Sequence, residues 1–268
     1  MKIDLLGVSD ILREAADTEI LPRFRALSPS DIEEKNPGDL VTTADRAAEA
    51  HLSKRLRDLI PSALIVGEEN HEVTPDAIHG IASAEWAWII DPLDGTHNFA
   101  HGKDRFAMIV ALSHKGETCA GWIFDPVRNR MAIVEKDGGA EIDGERSMLA
   151  ETKPISDMSG SLGAKLADRV RSDADAKMRP SPKSFVRYRC VGLEYMDLAA
   201  GALDFARYGG KLMPWDHAAG VLLHQEAGGY SAFGPSMRPY SLAGRRPADH
   251  LLLARDQASW EALLTLIG

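Results

Sequence analysis

The residues best suited to chemistry in this chain are carboxylates, and they gather in four short stretches beside turn or strand-end signals. These are Asp39-Leu40-Val41-Thr42-Thr43-Ala44-Asp45, Gly67-Glu68-Glu69-Asn70, Asp91-Pro92-Leu93-Asp94-Gly95-Thr96 and Pro214-Trp215-Asp216-His217-Ala218-Ala219-Gly220. In the third, Asp91 ends the apolar run Trp86-Ala87-Trp88-Ile89-Ile90, Pro92 fixes the backbone, and Asp94 returns a second carboxylate before Gly95 allows a close turn. Two such acids converging on a small volume raise each other's pKa or repel unless a cation compensates, and a hard divalent ion wants this set of oxygens. Taken singly, each stretch also reads as ordinary structure. Asp91 to Thr96 suits a tight turn capped by Asp94, Glu68-Glu69 suits an exposed turn, and Asp216 suits the cap of the helix that follows.

The elements around these acids have readable patterns. Ile11, Leu12, Ala15, Ile20 and Phe24 recur at helical intervals over residues 10–27, and a polar segment with Pro29 and Gly38 follows. Thr42 and Thr43 are candidate caps for a helix over 44–60, stopped by Pro61. Residues 63–66 read as a strand, 86–90 as a buried strand delivering Asp91 at its tip, and 106–112, 118–124 and 131–134 as a meander. Beyond the polar stretch 151–160, helical segments at 164–178, 193–200 and 215–227 alternate with extended ones at 185–190 and 202–208. The reading is α+β for residues 1–150, carrying most of the acids, and layered α/β for 151–268, the two forming one compact unit.

Composition narrows the function classes. At 268 residues, with 44% hydrophobic and 26% charged, the chain can bury a substantial core. Its 31 Lys and Arg against 40 Asp and Glu leave a net charge of -9, which offers no general pull toward nucleic acid or an anionic membrane. Cys119 and Cys190 are far apart and lack metal-ligand spacing, and no apolar run approaches a membrane span. Together with an N-terminus interrupted by Asp4, Asp10, Arg13 and Glu14, these features predict a cytoplasmic protein.

In combination, the acidic stretches resemble the signature motifs of the inositol monophosphatase family. Gly67-Glu68-Glu69, Trp88 through Phe99 and Trp215 through Gly220 stand in that family's order, preceded by the DLVTxxD-like element Asp39 to Asp45, and the likeness runs from about Ser28 to Gly229. The resemblance implies a layered αβαβα fold like that of fructose-1,6-bisphosphatases and a magnesium-dependent phosphomonoesterase that binds two or three ions. By motif position, Glu68, Asp91, the Leu93 carbonyl, Asp94 and Asp216 would hold the metals. Thr96, hydrogen-bonded to Asp45, and Glu68 would orient and deprotonate the attacking water, while the Gly95 and Thr96 N–H groups hold the phosphate. Asp94, Gly192, Leu193 and Glu194 would face the substrate, and Glu34 and Lys35 belong to a segment that is a mobile lid in the family. A homodimer and sensitivity to lithium are also implied.

The resemblance leaves the substrate open. Family members acting on inositol phosphate usually place an acid shortly before the Trp-Asp pair, whereas Tyr208 to Pro214 here contains none, and Glu194 is the substitute candidate. The leading expectation is a small polyol-type monophosphate. Histidinol phosphate, other sugar phosphates, nucleotide 3′-phosphates and a non-catalytic binding module are the alternatives. His97, His101 and His217 lie near the motifs without ligand spacing, Cys190 reads as a buried apolar residue, and Lys183, Arg187 and Arg189 read as a solvated strand face, with an anionic substrate or a partner chain as the alternatives.

Overall fold

The Asp4 carboxylate accepts from the Gly7 N–H at 2.9 Å and so starts helix α1 (Leu5–Ala15), whose inner face buries Val8, Ile11, Leu12 and Ala15. The helical pattern therefore begins earlier than predicted, and it loosens into a wide turn at Ala16–Ile20 and a tight one at Leu21–Arg23, where Pro22 lacks a donor. The computed structural model describes residues 3–74, 76–150, 152–177, 180–242 and 248–268. The polar segment expected as a loop is a hairpin instead, of β1 (Ile32–Asn36) and β2 (Asp39–Thr42), turning at Pro37-Gly38. Thr42 then caps α2 (Thr43–Leu59) in a reciprocal box with Asp45.

A seven-stranded sheet follows in chain order: β3 (Leu64–Gly67), the short helices α3 (Glu68–Val73) and α4 (Ala77–Gly80), β4 (Trp86–Asp94), α5 (Thr96–Ala100), β5 (Ala107–His114), β6 (Glu117–Asp125), β7 (Arg130–Glu135), β8 (Gly139–Ile142) and β9 (Glu145–Ser147). Only β3 and β4 run parallel; the rest is the antiparallel meander that the alternating turns predict. The remaining chain supplies β10 (Ser159–Ser161), α6 (Ala164–Lys177), β11 (Ser184–Val186), α7 (Val191–Ala199), β12 (Phe205–Tyr208), α8 (Pro214–Glu226), β13 (Tyr230–Gly234), β14 (Arg238–Pro239), β15 (His250–Ala254) and α9 (Gln257–Ile267). Its six strands are ordered β11-β10-β12-β15-β13-β14, with β10 parallel to both neighbours.

Three apolar clusters set the layers. Helices α1 and α2 cover one face of the first sheet through Leu12, Leu52, Trp88 and Trp122. Its other face, through Ile89, Ile109 and Ile123, packs on α7 and α8, which also meet Ala206, Leu251 and Leu253 of the second sheet. Phe205, Leu252 and Ala254 on the far face of that sheet pack on α6 and α9 through Val170, Trp260 and Leu263. The result is the αβαβα sandwich, in which alternate residues of one strand serve different layers because strand side chains alternate in direction. At the centre, α7 and α8 approach so closely that a Cβ on Gly220 would lie 2.1 Å from the Tyr195 ring. Among the described residues, no helix is long and apolar enough to cross a membrane.

Candidate active site

The parallel pairing of β3 with β4 aligns Gly67 with Ile90, so the residues that follow, Glu68 at the start of α3 and Asp91 on β4, leave the same end of the paired strands, and the charge of Glu68 bears on Asp91. Pairing of β4 with β5 is broken between Asp91 and Asp94. Within that break the Leu93 N–H donates to Asp91 Oδ1 at 3.0 Å and folds the turn. Gly95 follows with φ +90°, and a side chain there would press on the Arg105 carbonyl at 2.9 Å, so glycine alone suits the start of α5. Asp94 Oδ2 accepts from the Gly192 N–H at 2.6 Å, which ties the turn to α7. Asp216 comes from the first turn of α8, on the opposite wall, and its charge bears on Asp94 and Glu68.

A second group of contacts runs through α2. Asp45 is buried, with Oδ2 accepting from the Thr42 N–H (2.8 Å) and hydroxyl (2.5 Å) and Oδ1 from the Thr96 hydroxyl (2.9 Å). The Thr96 hydroxyl lies equally near the Leu93 carbonyl oxygen, at 2.9 Å. One turn further along α2, Glu49 accepts from the Glu69 and Asn70 N–H groups, both at 2.8 Å, and so caps α3 and fixes where Glu68 sits. Glu49 is absent from the acidic motifs, although its place four residues after Asp45 puts both acids on one helix face. Lys35, on β1 of the hairpin, reaches Glu69 Oε1 at 2.8 Å and Glu68 Oε1 at 3.8 Å.

The electrostatics follow from crowding like charges in an enclosed site. Enclosure, then Asp216, raises Glu68 well above the ordinary carboxylate range; enclosure, then Glu68, does the same to Asp91; enclosure, then Asp94, does it to Asp216. Asp94 is raised less, because the Gly192 N–H stabilises its charged form. Glu69 is pushed up to about 7 by burial in spite of Lys35. Among the described residues no three His, Cys, Asp or Glu side chains stand close enough to enclose a metal ion as they are, so a cation would have to draw the acids together. The donors fit such an ion chemically: they are hard carboxylate oxygens, mutually destabilised in the absence of positive charge. His217 is buried, hydrogen-bonded to the Tyr195 hydroxyl at 2.9 Å, and held down to about 3 by burial. His97 stacks on His101 and meets Arg189, while burial, then Asp94, raises the Cys190 thiol well above its ordinary value, where it is inert.

The substrate side departs from expectation at several residues. The Gly192 N–H is engaged by Asp94, and Leu193 turns into the apolar core between the sheets, as its place on the inner face of α7 requires. Glu194 lines a cavity of about 630 Å³ that opens beside Asp216, but its oxygens already accept from the Tyr188 N–H (2.9 Å) and the Tyr208 hydroxyl (3.0 Å). Arg187 and Arg189, read as a solvated strand face, line the same cavity.

A profile of the inositol monophosphatase family matches residues 8–245. A relative from Rhizobium meliloti named inositol-1-monophosphatase is 35% identical over 202 residues, 74% of this chain and 73% of that protein. One from Pseudomonas aeruginosa named Nus factor SuhB is 34% identical over 216 residues, 77% and 78% of the two chains. Among solved structures, an IMPase from Thermotoga maritima superposes with a TM-score of 0.81 at 23% identity, covering 99% of this chain and 97% of its own, a likeness of fold.

Proposed function

Because the chain belongs to the inositol monophosphatase family, whose members are phosphatase-type hydrolases and generally metal-dependent, we propose that it hydrolyses a small phosphomonoester with the help of bound magnesium. The observation that carries this reading is the register of β3 on β4, which brings Glu68 and Asp91 to the same end of the paired strands, with Asp94 and Asp216 completing an oxygen-only set. Glu68, Asp91, the Leu93 carbonyl, Asp94 and Asp216 are the proposed ligands, for two or three ions. Bound there, the cations would acidify water and offset the charge of a phosphate ester.

The chain's own groups do the rest. Thr96 Oγ1 gives its proton toward Asp45 Oδ1, which leaves the hydroxyl oxygen free to accept from a water, and Thr42 fixes the other side of the Asp45 carboxylate. Burial raises Asp45, so it can hold a proton passed through Thr96. Glu68, whose charge is felt by Asp91 and which feels Asp45, is the proposed second group to orient that water. The Gly95 and Thr96 N–H groups, at the tip of the turn, are the proposed donors to the phosphate oxygens.

The net charge of -9 supports a small-molecule partner over nucleic acid, and two free, separated thiols support a reducing, cytoplasmic setting; the assembly proposed is a homodimer. The name Nus factor on several relatives favours a second reading, a binding role. Retention of Asp45, Glu68, Asp91, Asp94, Thr96 and Asp216 together supports catalysis over that reading. Phosphate release by Asp91→Asn tests the assignment: magnesium-dependent turnover should vanish while circular dichroism shows a folded chain, and full turnover would remove Asp91 from the metal site.

A further inference from the structure

We propose that the substrate of this site carries a second anionic group besides the phosphate that is cleaved, and that Arg207 with the neighbouring cavity wall recognises it. This inference rests on the phosphatase reading above and deepens it by naming the substrate class.

Among its described lining residues the cavity beside Asp216 has one acid of the candidate metal site, Asp216 itself, and four basic residues: Arg187 and Arg189 from the segment between β11 and α7, Arg207 from β12, and Lys211 from the loop after it. Arg207 is half-buried, and its Nε is enclosed without a hydrogen-bond partner. Burial and then the charge of Arg169, on α6, push its pKa down, so an approaching anion would relieve an uncompensated cation. Gly163 lines the cavity where α6 begins, the first turn of that helix has no acid, and no atom stands within 4 Å of a Cβ on Gly163. The N–H groups of that turn add to the positive field on the side of Arg207.

Free acceptors are scarce along this cavity. Of its described lining residues only Glu194 and Asp216 are acids. Asp216 belongs to the metal side, and Glu194 already takes hydrogen bonds from Tyr188 and Tyr208. A wall rich in donors and short of free acceptors suits a ligand that presents acceptors, which a polyol ring with several hydroxyl donors does only in part. The cavity of about 630 Å³ is well within the size that small-molecule sites have and leaves room for a second group beyond the cleaved ester. A phosphate or a carboxylate has the required chemistry, and guanidinium groups match both in fork geometry.

The test compares matched pairs of substrates that share the cleaved ester and differ in the second anion, at fixed magnesium and ionic strength. Glycerol 2-phosphate is paired with 2-phosphoglycerate, adenosine 3′-phosphate with adenosine 3′,5′-bisphosphate, and inositol 1-phosphate with inositol 1,4-bisphosphate. A charge-assisted contact predicts a gain in kcat/KM of about tenfold to a hundredfold for the doubly anionic member of at least one pair. The first pair reports a carboxylate, the others a phosphate. In Arg207→Gln that ratio should collapse toward one, and in the exposed Lys211→Gln, which has little bearing on folding, it should shrink. Equal kcat/KM within every pair, or an undiminished ratio in both variants, overturns the second-anion inference while leaving the phosphatase reading in place. If no member of any pair is hydrolysed, the phosphatase reading fails and this inference falls with it.

Discussion

Replacing Thr96 by valine removes one hydroxyl and keeps the shape of the side chain, and the structure gives the consequences separately for stability and for turnover. The lost proton serves Asp45 Oδ1 and the Leu93 carbonyl, both 2.9 Å away, while Asp45 Oδ2 keeps its two bonds from Thr42. One unsatisfied oxygen on a buried carboxylate costs about 1–3 kcal/mol. At roughly 2–4 °C per kcal/mol for a chain of about this size, the melting temperature should fall by roughly 4–8 °C for a 2 kcal/mol loss. Turnover should suffer far more: if Thr96 passes a proton to Asp45, its removal should lower kcat by about 10²–10⁴-fold. KM should hardly change, since the Gly95 and Thr96 N–H groups are backbone and survive the substitution. Thr96→Ser restores the hydroxyl and should recover most of kcat. Initial rates of phosphate release for the three proteins, with melting curves, decide the matter. A valine variant within threefold of the parent in kcat, or a serine variant as impaired as valine, would refute the Thr96–Asp45 proton path.

Other predictions concern the frame and the ions. Asp204 is buried and accepts from Arg255 (2.5 Å), Lys153 (2.9 Å) and the Ser159 N–H (2.8 Å), so Asp204→Asn should cost about 3–5 kcal/mol in urea unfolding, and a loss below 1 kcal/mol would contradict this. Burial, then Arg255, holds His224 down to about 3 against about 6.5 in the unfolded chain. The folded state binds fewer protons between these values, so this contribution is full above pH 6.5 and drains as pH falls, by about 2 kcal/mol at pH 5. The urea midpoint of His224→Gln should therefore fall less steeply from pH 7 to pH 5 than that of the parent; parallel curves would show that His224 is not responsible. Gly220→Ala drives a methyl into the buried Tyr195 ring and should destabilise by about 1–3 kcal/mol, with an unchanged unfolding midpoint as the contrary result. Lithium, as a competing small cation, should slow phosphate release at about tens of millimolar, and full activity there would oppose the expected metal site.

The stretch from Asp91 to Thr96 was legible because its local chemistry determines its backbone: an apolar strand must end, and proline and glycine leave few ways to turn. The capped start of α2 was legible for the same reason. Much of the second sheet was not. Ser159-Gly160-Ser161 has no apolar period, and its strand exists because β11 and β12 flank it. His250-Leu251-Leu252-Leu253-Ala254 is apolar on both faces, since one faces α8 and the other α9, and a run of that kind does not announce its element type. The strand Ile32–Asn36 is short, polar and, among the described residues, paired only with β2. The cationic wall was hidden most thoroughly. Arg207 lies on β12, Arg187 and Arg189 lie beyond β11, and they meet at one cavity only through the tertiary order of the strands, which residue spacing does not encode.

If the carboxylates serve a divalent cation in phosphoester hydrolysis, chelation followed by titration with magnesium reads it out. Phosphate release from purified protein should stop when EDTA removes divalent ions, return as magnesium is added back, and fail to return in Asp91→Asn or Asp216→Asn that remain folded. Turnover indifferent to chelation, or variants that regain full activity with magnesium, would remove these carboxylates from a metal-dependent reaction.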